Sequence, residues 1–139
     1  GLVAVTPAAG FVGPVGAIAL GLIASACCYF FVQVVKEHFG YDDSLDVFGV
    51  HGIGGIVGAI LTGVFASSSL GGVGYADGVT MAMQVVTQVK AVCVTIGWCA
   101  VVSFVLYKLV DMVVGLRVAP ETEREGLDIA EHGERAYVV

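Results

Sequence analysis

The sequence predicts an all-α integral membrane protein with three spanning helices and a short polar tail. Composition is the first reason: of 139 residues, 58% are hydrophobic and 13% charged, and the mean hydropathy is +0.94. A soluble domain carries roughly 25% charged residues, so lipid must replace water over much of this exterior. Placement is the second: the first 35 residues carry no Asp, Glu, Lys or Arg, whereas half of all the charges fall within Leu116–Val139. Third, three apolar runs are each long enough to cross ~30 Å of hydrocarbon at ~1.5 Å per residue. The net charge of −6 excludes a nucleic-acid partner, because phosphate contacts need a basic face.

Taken in order, "GLVAVTPAAG" (1–10) reads as the end of an earlier helix. With no start methionine and no basic flank it does not read as a signal peptide, so the chain is expected to be a piece of something longer. Pro7 and Pro14 bracket a non-helical approach to the first span, residues 11–35, which stops at Lys36-Glu37-His38. The second span covers residues 44–65, with Asp43 or Ser44 as its N-cap. The third covers residues 80–115; at about 50 Å it must tilt or project beyond the bilayer. The membrane region is thus 1–115 and the tail 116–139.

Two loops join the spans, polar "KEHFGYDDSLD" (36–46) and "ASSSLGGVGYADG" (66–78), which is rich in Gly and Ser. Lys36, Lys108, Arg117, Arg124 and Arg135 lie on the side of the first loop and the tail, and the second loop has no Lys or Arg. The positive-inside bias places the first loop and the tail in the cytoplasm. Lys90 falls inside the third span, where it either snorkels outward or pairs with another part of an assembly. Lys108 and Asp111, at i and i+3, are expected to form a supporting pair. Cys27, Cys28, Cys93 and Cys99 lack zinc-ligand spacing and read as small packing residues, so no metal and no cofactor is expected.

The second span poses the functional question. In "DVFGVHGIGG" (46–55), His51 is the one side chain between Val47 and Ala76 that could take a charge near neutral pH. On an α-helix it shares a face with Val47, Phe48, Gly54, Gly55, Gly58 and Thr62, which puts a polar ring between bulky groups below and glycines that leave space above. Gly54 and Gly58 form a G-x-x-x-G pair, and the six glycines of this span point either to tight helix packing or to a lumen. An ionisable residue within a span is expensive and marks a conduction or proton path. In such surroundings the neutral ring is the expected form, able to pass a proton or orient a small polar solute.

These residues carry a resemblance. "DDSLDVFGVHGIGGIVGAILTGVFASSSLGG" and the tail "GLRVAPETEREGLDIAEHGERAYVV" closely resemble the C-terminal part of ammonium transporters of the Amt/Mep/Rh family, on the Amt branch. The resemblance implies that the three spans are the last three of an eleven-helix fold in the cell membrane, with a cytoplasmic C-terminal tail. It implies an apolar pore in which a histidine pair deprotonates ammonium so that ammonia and a proton cross. His51 matches the second of the pair, Val47 would line the narrow inner pore, and Asp46 would sit at the cytoplasmic mouth. In the tail, Arg124, Glu125, Gly126, Asp128, His132 and Tyr137 match the motif. Such tails couple neighbouring subunits of a homotrimer and lie near the docking place of PII-type signal proteins. No enzymatic activity is implied.

Two other classes compete. A proton-path subunit of a membrane redox or pumping complex would explain His51, Lys90 and Asp111, but it calls for cofactor ligands or a chain of intramembrane carboxylates. A purely structural subunit would make His51 replaceable by Gln without loss.

Overall fold

The structure, a computed structural model, describes residues 1–134. Every regular element among them is helical. A four-residue helix, α1 (Leu2–Val5), continues into a 3₁₀ turn, Thr6–Ala8. Three helices of membrane-spanning length and composition follow: α2 (Pro14–Phe39), α3 (Val47–Phe65) and α4 (Met81–Val113). The tail forms α5 (Pro120–Glu125) and α6 (Leu127–Ala130).

The boundaries follow local chemistry, and where expectation and structure differ the reason is specific. Pro14 opens α2 at a position where its missing N–H is not needed, so the helix starts three residues later than residue 11. It also runs past Val35. Lys36, Glu37 and His38 are polar but do not break a helix; Gly40 does, adopting φ 61 while its N–H donates to the Lys36 carbonyl at 2.8 Å. The join is a π-helical turn, Phe31–Val35. A second π turn, Val47–Gly52, opens α3 three residues after Ser44. It is preceded by Asp46 at φ 53, the one positive φ among the described non-glycine residues. That backbone region costs an L-residue about 1–2 kcal/mol, least for Asp and Asn, whose short side chains bond locally.

The chain forms two compact units, Gly1–Ile96 and Gly97 onward. The core of the first is built from three alanines and one leucine, Ala4, Ala8, Ala24 and Leu20, with Val5, Val12, Val57, Leu61 and Phe65 against them. α3 lies at its centre and buries Gly54, Gly58 and Thr62 in one row. At Gly54 a side chain would meet Cys28 Sγ at 3.4 Å and Val3 Cγ1 at 3.6 Å. At Gly58 it would coincide with the backbone carbonyl of Ala4. The Thr62 hydroxyl turns back to the Gly58 carbonyl at 2.8 Å, which leaves the seam apolar. Of the two readings of the glycines, close packing therefore holds for Gly54 and Gly58.

The loop 66–78 is folded onto the end of α3. The Tyr75 hydroxyl donates to the carbonyls of Gly63 (2.7 Å) and Val64 (3.1 Å), Gly74 N–H to Ala66 (2.7 Å), and Val73 N–H to Phe11 (3.0 Å). The last carbonyls of a helix have no partner within it, and this loop supplies partners.

In the second unit, the guanidinium of Arg117 grips Glu123 through Nη2–Oε1 at 2.7 Å and Nε–Oε2 at 3.1 Å. The expected Lys108–Asp111 pair is not formed: the described ion pairs are Arg117–Glu123 and Lys36–Asp46. A basic residue N-terminal to an acidic one is the weaker order on a helix, and both side chains are exposed.

The seam yields a test. Gly58→Val should destabilise the full-length protein by about 1–3 kcal/mol through overpacking. Gly55→Ala should fall within about 0.5 kcal/mol, since nothing lies within 4 Å of an added methyl there. Unfolding in detergent micelles compares the two.

Candidate functional site

His51 is the last residue but one of the π turn Val47–Gly52, and it is exposed. Its ring borders a cleft of about 440 Å³ lined by Leu2, Val3, Thr6, Pro7 and Gly55. The lining is apolar apart from His51 and the Thr6 hydroxyl, which donates to the Leu2 carbonyl at 2.8 Å. Gly55, one turn above the ring, has open space where a side chain would stand. Gly54 and Gly58, expected to leave room above the histidine, are instead filled by α1 and α2. The reason is that glycine in a span lets backbones approach, and here a neighbouring backbone occupies the space.

The turn is braced from four directions. The Asp43 carboxylate accepts the N–H of Val47 (2.8 Å), Phe48 (2.9 Å) and Gly49 (3.4 Å), satisfying three otherwise unpaired donors at the start of α3. Asp43 was one of the two expected caps; it acts from four residues before the helix, and Ser44 bonds Asp42 instead, at 3.0 Å. Gly49 lies against Val32 of the other π turn, so the two irregular turns face each other. The Tyr41 ring meets Phe48 edge to face, with centroids 5.9 Å apart. Behind His51, the Cys28 thiol approaches the Val50 carbonyl at 3.6 Å, a weak donor contact from a cysteine that spacing alone assigned to packing.

The remaining expected residues lie as follows. Val47 is 58% exposed and does not line the cleft with His51. Asp46 does not present a free carboxylate: Lys36 Nζ lies 2.6 Å from its Oδ1. In the tail, Arg124 and Glu125 close α5, and Gly126 separates α5 from α6 at φ 102, where a side chain would meet Asp128 Oδ1 at 2.7 Å. His132 follows α6 and is exposed; Tyr137 lies outside the described residues. A second cavity, about 290 Å³, adjoins the 66–78 loop and is lined by Pro7, Thr62, Tyr75, Gln84 and Gln88 among others. Nothing in the sequence pattern singled out those glutamines.

Fold and site together define an all-helical integral membrane protein, with a lone histidine on a cleft at the start of its second membrane-length helix. The chain belongs to the ammonium transporter family: the model of the Ammonium Transporter Family matches residues 1–137. It is 54% identical over 138 residues to an ammonium transporter of Aquifex aeolicus, covering 99% of this chain and 32% of that protein. It is 47% identical over 139 residues to an ammonium transporter of Bacillus subtilis, covering 99% and 34%. With the ammonium transporter Amt1 of Archaeoglobus fulgidus the identity is 42% over 139 residues, again covering 99% and 34%. The chain spans about a third of the length of these curated relatives. Membership in this family displaces the redox-complex reading of His51 and Asp111.

The cap gives the test here. Asp43→Ala removes the acceptor for three N–H groups and should cost about 1–2 kcal/mol. Amide exchange at Val47, Phe48 and Gly49 should accelerate, while amides in the middle of α3 stay protected. Uniform acceleration along α3 would show that the carboxylate does not act locally.

Proposed function

We propose that this chain supplies the last three spanning helices and cytoplasmic tail of an eleven-helix ammonium transporter of the cell membrane. His51 would act in the pore. The observation that carries this reading is the position of His51: within a segment matched end to end by the family, the one titratable side chain of α3 borders an apolar cleft. A bare ammonium ion loses its hydration in such a lumen at great cost, whereas neutral ammonia does not. A deprotonation step at the histidine separates the two. In this reading His51 exchanges a proton and a hydrogen bond with the solute, and Val47 narrows the path below it. The Lys and Arg bias puts loop 36–46 and the tail in the cytoplasm and loop 66–78 outside. The tail, through Arg124, Glu125, Gly126, Asp128, His132 and Tyr137, would couple the subunits of a homotrimer and lie beside a PII-type regulator.

Currents from the full-length protein in reconstituted vesicles test the pore role. His51→Ala should fold, because His51 is exposed on an open cleft and fills no core, yet lose ammonium current by about 100-fold or more, the scale of one proton-transfer group. His51→Glu keeps an exchangeable proton and should retain part of the current with weaker discrimination against other cations. A wild-type current from His51→Ala would make the histidine a packing residue.

The tail has its own test. Gly126 holds a backbone conformation that L side chains rarely adopt, and Gly126→Asp adds a carboxylate beside Asp128. That variant should impair uptake in mixed trimers with wild-type subunits. Activity in simple proportion to the wild-type share would count against coupling through the tail.

A further inference from the structure

A carboxylate at the mouth of a cation path ordinarily acts by attracting the cation. Asp46 is arranged for something else. Lys36, in the last turn of α2, places Nζ 2.6 Å from Asp46 Oδ1 and 2.6 Å from the Asp43 carbonyl oxygen. Both side chains of the pair are partly buried, at 26% and 35% exposure, so water screens the contact less than at an open surface. The backbone at Asp46 is left-handed, φ 53 and ψ 32, and its carbonyl accepts the Val50 N–H at 2.8 Å. Val50 is the residue before His51. One ion pair therefore joins the end of α2 to the backbone position from which the histidine's turn begins.

The π turn makes that position consequential. It accommodates one residue more than an α turn, so the register in which it starts decides which way its side chains face. A slip of one residue turns a side chain by about 100° around the helix axis. His51, near the end of the turn, would then leave the cleft edge it shares with Gly55.

We propose that Lys36 and Asp46 are a positioning pair for His51: their contact holds Asp46 in its left-handed backbone, sets the start of the π turn, and so aims the imidazole. Asp46 is not a cation-attracting group. The inference rests on the reading of His51 as the transport residue.

Ammonium currents against concentration, measured in vesicles holding the full-length protein, separate the two roles of Asp46. A positioning pair predicts that Lys36→Met and Asp46→Asn each lower the maximal current by about tenfold while the half-saturating concentration changes less than about twofold. Lys36→Arg, which keeps the charge and the contact, should retain at least about half of the maximal current. A cation-attracting Asp46 predicts the opposite pattern: Lys36→Met exposes the carboxylate and lowers the half-saturating concentration, Asp46→Asn raises it, and the maximum holds. That result overturns the proposal. A structural reading, in which the pair only adds stability, is met by the ¹⁵N resonances of the His51 ring. They should shift in Lys36→Met and return in Lys36→Arg; unchanged resonances in a folded Lys36→Met protein also overturn it. If Lys36→Met does not fold, Lys36→Gln replaces it in both measurements. A wild-type protein without ammonium current would defeat the transport reading, and the ring resonances would still decide the pair.

Discussion

The contact on which this arrangement depends is backbone against backbone, where Gly58 of α3 meets Ala4 of α1. In lipid there is little hydrophobic drive to bring two helices together, so association comes from close van der Waals packing and from hydrogen bonds. The core built around this contact is accordingly one of alanines, glycines and a single buried leucine, Leu20. Bulky apolar side chains such as Val15, Ile18 and Leu22 are left on the exterior of α2.

Close packing of the glycine seam also shapes the cleft. Because Gly54 and Gly58 admit α1 so closely, the first residues of the chain become one wall and the row His51–Gly55 becomes the rim opposite. The histidine thus owes its surroundings to two features with different chemistry. Small residues bring the wall near, while charged and polar groups at the other end of the turn brace the backbone that carries the ring. Asp43 does the second by accepting three backbone donors, and Lys36 by holding Asp46. The two meet in a π turn, an irregularity that tolerates both demands because it is not bound to the α-helical register.

At the other end of α3 the loop 66–78 shows the same logic with neutral groups. Its glycines and serines would pass for a flexible connector by composition. Yet Tyr75, Gly74 and Val73 each donate to a carbonyl at the end of α3 or before α2. Backbone polar groups near the hydrocarbon need partners, and a loop that provides them becomes ordered.

The sequence by itself determined the helical class, the three spans and the singular position of His51, since each rests on a property of consecutive residues. An uncharged run and a lone ionisable side chain are properties of consecutive residues, and they are legible without coordinates. The first span ends at Phe39 rather than at residue 35 because polarity, as at Lys36–His38, does not stop a helix, whereas a backbone constraint such as Gly40 does. Tertiary structure alone decided what the glycines do. G-x-x-x-G shows that a backbone can come close, not which one does, so Gly54 and Gly58 proved to be packed while Gly55 stayed open. It also decided the state of Asp46, whose partner lies ten residues back across a turn. Contacts between elements depend on where chains fold relative to each other, and no pattern along a single chain encodes that directly.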